Sequence, residues 1–196
     1  MNKLLLLLIG LAGHLFFPTD LMAQSGTNSF TLPIIPDTLQ TVESRSSYLV
    51  AHYWDRFSFA DSLQFMNQPE VVEQALVDYV DLFRLVSAAE AENSLSALMD
   101  KASVTLNGFL FFYNTLEKYL YDATSPMRNE ALFIPVLQKM MASDKLNDDD
   151  KLRPAMLLKS VSKNKVGSTA ADFSYTKSDG SQHRLSEVQT PLTLLL

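Results

Sequence analysis

The chain has 196 residues, of which 47% are hydrophobic and 19% are charged, a composition typical of one globular domain with room for a fragment of another. Its formal net charge is −6 and its basic residues form no stripe, so neither nucleic acid nor an anionic lipid surface is an expected partner. The sequence contains no cysteine, which excludes structural disulfides, thiol catalysis and cysteine-ligated metals within these residues.

The first 23 residues have the layout of a secretory signal peptide. Lys3 supplies a positive start, residues 4–17 are almost wholly apolar, and Ala23 offers a small residue at a cleavage point before Gln24. A permanent membrane anchor is the alternative, but a span needs roughly 20 apolar residues and this run is shorter. We therefore expect export to the periplasm or cell envelope, with no stable membrane span after the leader is removed.

An irregular arm is predicted over residues 24–40, which are rich in Ser, Thr and Pro. Prolines bias the residues before them towards extended backbone, so no helix is expected there. The apolar residues of the arm are expected to pack on the rest of the protein, and they are Phe30, Leu32, Ile34 and Ile35.

The body of the chain, residues 41–164, has apolar residues at helical spacing and no strand pattern. The segment 92–122 fits either one long helix or two. The other predicted helical segments are 41–57, 67–89, 125–140 and 151–164. Because the connections are short, the predicted fold is mainly α, a helical bundle of five or six helices.

Local sequence signals suggest where these helices begin and break. Asn67 is a candidate cap for the second helix, and Ser125 followed by Pro126 is typical of a helix start. A break is expected near Gly108, since glycine costs about 1 kcal/mol against alanine inside a helix. Pro135 is expected to kink or interrupt its helix because proline lacks the backbone N–H donor.

After the last helix the pattern changes to alternation, which is typical of strands. Residues 173–175 and 182–185 flank Asp179 and Gly180, a pair that suits the turn of a β-hairpin. The apolar run 192–196 is a further strand candidate. These residues indicate a β-hairpin and the beginning of a strand.

Histidine and carboxylate positions offer one pair that could carry acid–base chemistry. His52 and Asp55 lie three residues apart and could share a helix face. The alternative, which we prefer, is an ion pair beside an aromatic core. His14 lies in the leader and His183 in the hairpin, where it is expected to face solvent, so the histidines form no metal constellation.

Three other features invite a functional interpretation and have a structural alternative. The acidic run 148–150 lacks the ligand pattern of a calcium loop and is expected to cap the next helix. Ser125 and Arg128 could hold a phosphate at a helix N-terminus, or could be a cap and a surface cation. The aromatic cluster from Phe109 to Tyr113 is expected to be core. No catalytic, cofactor-binding or metal-binding residue is therefore assigned.

The tail resembles the opening of an exported thioredoxin-like domain, of the thiol–disulfide oxidoreductase or peroxiredoxin-related kind. Such domains open with a glycine, an Ala-Pro-Asp-Phe-like stretch, a hairpin with Asp-Gly, a Leu-Ser pair and an apolar strand. Ala171 stands where the proline is usual. The matching residues, in order, are Gly167, Ala170, Asp172, Phe173, Asp179, Gly180, Leu185, Ser186 and 192–196.

The body resembles an uncharacterised helical domain that precedes a thioredoxin-like domain in a family of exported bacterial proteins. The similar stretches are YLVAHYWDRFSFADS, PEVVEQALVDYVDL and YLYDATSPMRNEALFIPVL. The resemblance implies an envelope setting and, in full-length members, a Cys-x-x-Cys motif just after the strand that residues 190–196 begin. It implies that this chain is truncated before the motif and is inactive alone.

The resemblance also implies an organisation into four parts. They are a signal peptide at 1–23, an arm at 24–40, a helical domain at 41–164 and the start of a truncated thioredoxin-like domain at 165–196. The alternative is a self-sufficient envelope module whose helical body binds a peptide or partner protein through an aromatic groove. A third hypothesis, a hydrolase or metal enzyme using His52 and Asp55, is disfavoured. No cofactor is expected for a truncated thioredoxin-like family member or for a self-sufficient envelope module.

Overall fold

A computed structural model of the chain describes residues 30–61, 67–163, 169 and 171–190. Within these residues the fold is mainly α, with six α-helices followed by a two-stranded antiparallel sheet, as predicted. The helices are α1 (Val42–His52), α2 (Pro69–Asp81), α3 (Ala88–Ala102), α4 (Leu106–Leu120), α5 (Glu130–Ala142) and α6 (Asp148–Val161). Short 3₁₀ helices lie at Leu82–Leu85 and Leu185–Glu187, and the strands are β1 (Ser174–Thr176) and β2 (Gln182–Arg184). The predicted leader and the apolar run 192–196 lie outside the described residues.

The helices form one bundle around α5. This helix packs against α3, α4 and α6, while α1 packs on α3 and α2 packs on α4. The run of residues 132–137 in α5 is buried throughout, so no face of its middle turns is left to solvent. The largest fully buried side chains of the core are Tyr53, Tyr79, Phe109, Phe112, Phe133, Leu76, Leu95, Leu98, Met99, Leu116, Leu120 and Leu137.

Capping side chains decide where several helices begin. In α3, Ser87 and Glu90 form a capping box, in which each side chain bonds the other residue's backbone N–H. In α6, Asn147 and Asp150 form the same arrangement, which confirms that the acidic run 148–150 serves the start of that helix. Thr105 accepts from the N–H of Gly108 at 3.1 Å and starts α4.

Three predicted boundaries in the first half of the body are wrong. The helix α2 begins at Pro69 with Gln68 at the capping position, so Asn67 is not its cap. It ends at Asp81 instead of reaching residue 89, because a 3₁₀ turn follows and Ser87 begins a new helix. The first helix also ends earlier than predicted, at His52, and the chain continues in turns to Phe57.

Two further expectations are corrected in the second half. The segment 92–122 forms two helices, and the break lies at residues 103–105 because Thr105 provides the cap. Ser125 does not start a helix; its hydroxyl donates to the carbonyl of Tyr119 at 2.6 Å, and α5 begins only after Asn129. Pro135 lies inside α5 and does not interrupt it, while the alternative, a kink at this residue, stays a prediction.

Residues 30–40 of the arm cross the body in an irregular conformation, as predicted, and residues 24–29 lie outside the described residues. Phe30, Leu32 and Ile35 are half-buried and pack against the core. Ile34 is 76% exposed, so its predicted packing is wrong.

The predicted hairpin is present. Ser174 pairs with Arg184, Tyr175 with His183 and Thr176 with Gln182. Gly180 has a φ of 85°, in the left-handed region that favours glycine, and its N–H donates to the carbonyl of Lys177 at 2.9 Å. Along the described ranges, no helix is long and apolar enough to cross a membrane.

Candidate functional site

The structure brings His52 and Asp55 together, at the junction of α1 and the turn that follows it. His52 Nδ1 lies 2.7 Å from Asp55 Oδ2, and Lys101 Nζ of α3 donates to Asp55 Oδ1 at 2.6 Å. The hydrogen bond from Lys101, and after it the one from His52, lowers the pKa of the Asp55 carboxyl. Both His52 and Asp55 side chains are 44% exposed. An ionised, solvated carboxylate held by two partners is a surface ion cluster, which supports the preferred structural interpretation.

His183 is predicted to face solvent, but in the hairpin it is half-buried. Its Nε2 lies 3.0 Å from the hydroxyl of Ser181, and its Nδ1 lies 3.4 Å from a Glu187 oxygen. Its ring lies against Tyr175, with centroids 5.9 Å apart. In the part of the chain that the structure describes, no group of three or more His, Asp or Glu side chains could hold a metal ion.

Ser125 and Arg128 do not form an anion site at a helix N-terminus. Ser125 lies in a turn, and Arg128 is paired with Glu130 in the first turn of α5. The guanidinium of Arg128 lies over the ring of Tyr121, 6.0 Å from its centroid. Both residues therefore serve the connection between α4 and α5.

A polar groove of about 630 Å³ lies where the end of α4 and the loop after it face α6. Arg153 of α6 donates through Nε to Glu117 of α4 at 3.0 Å, and Lys118 Nζ donates to Glu73 of α2 at 2.6 Å. These carboxylates raise the pKa values of Arg153 and Lys118. The lining residues are Asn114, Glu117, Lys118, Tyr121, Asp122, Ala123, Arg128 and Arg153.

No pattern in the sequence predicts this groove. Its charged residues come from three separate segments, and surface charges follow no spacing that would mark them as neighbours. One turn of α4 before Glu117, burial first and then Glu117 itself raise the pKa of the Tyr113 phenol. Tyr113 Oη is buried and makes no hydrogen bond of standard geometry to the described residues. The groove joins α4 to α6 by ion pairs and brings together no nucleophile with a base.

The hairpin contains a compact hydrogen-bonded cluster centred on Asp172. Its carboxylate accepts from the backbone N–H and the hydroxyl of Ser186, both at 3.0 Å, and from Arg184 Nε at 2.6 Å. The backbone hydrogen bond from Ser186, followed by the one from Arg184, lowers the pKa of Asp172. Asp172 and Ser186 belong to the ordered set that resembles a thioredoxin-like opening, and their contact gives that spacing a structural purpose: it joins the entry of β1 to the 3₁₀ helix after β2.

The chain is similar to a protein of known structure and matches a family model. The chain is similar to a thioredoxin-like protein from Bacteroides caccae whose crystal structure is known, with 39% identity and a TM-score of 0.76. The match covers 83% of this chain and 58% of that protein, so the chain spans little more than half of its length. A comparison with curated proteins finds no significant match. A family model described as a domain of unknown function, DUF5106, matches residues 17–164, and the chain therefore belongs to the DUF5106 family.

Proposed function

We propose that this chain supplies the exported, helical N-terminal domain of a thioredoxin-like thiol–disulfide oxidoreductase. The observation that carries the proposal is the similarity in sequence and structure to the Bacteroides caccae protein, which is described as thioredoxin-like. The Asp172 cluster adds support from residues 171–190, because it organises the motif residues of a thioredoxin-like opening into one local unit.

In this proposal the helical domain has a binding or positioning role and carries out no chemistry itself. Thiol–disulfide exchange begins with attack by a thiolate, and the 196 residues include no cysteine. The polar groove and the His52 cluster hold paired charges, and neither presents an activated nucleophile. The chain alone is therefore inactive in exchange.

The domain organisation that we propose is the one predicted from the sequence. Residues 1–23 are a signal peptide, 24–40 an arm, 41–164 the helical domain and 165–196 the beginning of the thioredoxin-like part. Expression with the leader, followed by mass measurement of the periplasmic fraction, tests the export step. A mature protein that begins at Gln24 supports it, and an uncleaved chain in the membrane fraction contradicts it.

Insulin reduction by dithiothreitol tests the catalytic part of the proposal. We expect the purified chain to leave the rate of insulin precipitation equal to that of the buffer, while a thioredoxin with an intact Cys-x-x-Cys motif accelerates it. Acceleration that scales with the concentration of the chain and survives removal of contaminating thioredoxin contradicts the proposal.

A further inference from the structure

The polar groove between α4 and α6 has a local excess of positive charge, although the whole chain has a net charge of −6. Glu73 and Glu130, which pair with two of its cations, are not among the residues that line it. A cleft with an excess of one charge attracts ligands of the opposite charge. The charged lining residues are the cations Lys118, Arg128 and Arg153 and the carboxylates Glu117 and Asp122.

The ion pair between Arg153 and Glu117 uses a single carboxylate oxygen. Both Nε and Nη2 of Arg153 donate to Glu117 Oε1, the first at 3.0 Å. A guanidinium bonds a carboxylate best through two parallel bonds, one to each oxygen. The Arg153 side chain is 67% exposed and that of Glu117 only 15%, so the guanidinium is accessible to a ligand while the carboxylate is mostly covered.

Tyr113 offers Glu117 a second partner. It lies one turn earlier on α4 and is 4% exposed, and its nearby charged groups are Glu117 and Arg153. Tyr113 Oη is buried and makes no hydrogen bond of standard geometry within the described part of the chain. A buried hydroxyl without a partner is unfavourable. A Glu117 carboxylate that turned from Arg153 to the phenol would therefore gain a bond that the structure leaves unmade.

We propose that the groove binds the carboxylate of a ligand, and that this carboxylate replaces Glu117 at Arg153. The chemical class follows from the group that Arg153 already holds, and a ligand free to approach from solvent can bond the guanidinium through both of its oxygens. Glu117 then accepts from Tyr113, so both members of the broken pair keep a partner. The groove, of about 630 Å³, is in the size range of small-molecule sites. This inference goes beyond the proposed function and does not depend on thiol chemistry.

Calorimetric titration of the full chain tests the proposal with three probes. They are sodium acetate, tetra-alanine with a free C-terminus and tetra-alanine amide, with sodium chloride holding the ionic strength constant. We expect saturable binding of a carboxylate and none of the amide. Binding of acetate identifies a small organic acid as sufficient, and binding of free tetra-alanine alone identifies a peptide C-terminus.

Two substitutions in α6 separate a site from general charge attraction. Arg153→Gln should weaken binding about tenfold or more, because it removes the charged donors. Lys159→Gln is the matched control, since it removes the same charge from an exposed position of α6 outside the groove, and it should leave binding unchanged. Should R153Q lose its helical circular dichroism, Arg128→Gln replaces it, with the same expected loss.

Tyr113→Phe tests the exchange itself. It should weaken binding about fivefold, because Glu117 then gains no bond when it leaves Arg153. The proposal is overturned if the folded wild-type chain binds neither carboxylate probe in a saturable way, or if R153Q and K159Q weaken binding equally. Binding by Y113F as tight as that of the wild type also overturns it, since the carboxylate would then not exchange with Glu117.

Discussion

At the scale of single residues, Glu90 shows how one carboxylate both begins a helix and joins it to a neighbour. It accepts from the backbone N–H of Ser87 at 2.9 Å, and the hydroxyl of Ser47 in α1 also bonds it. These bonds, with the one from Ser47 foremost, lower the pKa of Glu90 to about 2. The ionised form is therefore favoured in the folded protein.

The shifted pKa of Glu90 predicts a pH dependence of stability. Its contribution is fully present above its ordinary pKa of 4.5 and is lost as the pH falls from 4.5 to about 2. Glu90→Gln, which cannot ionise, should flatten the part of the pH profile that lies in this window. Urea unfolding of both chains across the window measures the difference, and parallel profiles would show that Glu90 makes no such contribution.

A second prediction concerns a buried hydroxyl pair. Tyr79 Oη lies 2.5 Å from Ser94 Oγ, which in turn donates to the carbonyl of Val50 at 2.8 Å. This chain of bonds links α2, α3 and α1, and Tyr79 is fully buried. Because Ser94 donates to Val50, the phenol of Tyr79 must be the donor to Ser94.

Removing the two hydroxyls one at a time should have unequal effects. Ser94→Ala leaves the Tyr79 phenol buried without a partner and should lower the free energy of unfolding by about 1–3 kcal/mol. Tyr79→Phe leaves Ser94 bonded to Val50 and should cost about 0.5–1.5 kcal/mol. Urea denaturation of the two single variants measures both. Equal losses, or a larger loss for Y79F, would mean that the proposed direction of donation is wrong.

At the scale of elements, side-chain caps explain where five of the six described helices begin. The break between α3 and α4 depends on Thr105, whose side chain satisfies the N–H of Gly108. Gly108 itself lies in the first turn of α4 and is buried there, so it does not interrupt the helix. The position of a helix boundary follows from which cap is satisfied, and not from the residue with the lowest helix propensity.

Because the Thr105 cap sets the break, removing this cap should lower the stability of the protein. Thr105→Ala should lower the free energy of unfolding by about 1 kcal/mol, and Thr105→Ser should retain most of it because the serine hydroxyl can cap equally well. Asn107→Ala is the control, since Asn107 is exposed and no capping bond involves it. A T105A chain as stable as the wild type would show that the Thr105 cap does not determine the break between α3 and α4.

At the scale of the whole molecule, the sequence predicts the helical class because every helix must bury an apolar stripe. The spacing of residues such as Leu49 and Tyr53, or Leu116 and Leu120, therefore remains readable without the structure. The hairpin is equally predictable, because its turn requires a positive φ and the sequence places a glycine, Gly180, at that position.

The parts that could not be predicted depend on contacts between distant segments. Ser125 and Asn129 are both good caps in isolation, but Ser125 lies in a turn, where its hydroxyl donates to the carbonyl of Tyr119 and accepts from the N–H of Met127, so Asn129 caps α5. The His52–Asp55 pair was predictable because it is local, whereas its third member, Lys101, is 46 residues from Asp55. The groove that contains the Glu117–Arg153 pair also depends on contacts between distant segments, so no sequence pattern predicts it.

We expect the helical body to unfold as one complete cooperative unit and residues 171–190 to belong to a different one. The body buries a continuous apolar core, whereas most of residues 171–190 are exposed. Hydrogen exchange followed residue by residue on the full chain tests this most directly. We predict strong, uniform protection in α3, α4 and α5, and little in β1 and β2. Protection of the hairpin equal to that of α5 would contradict the claim.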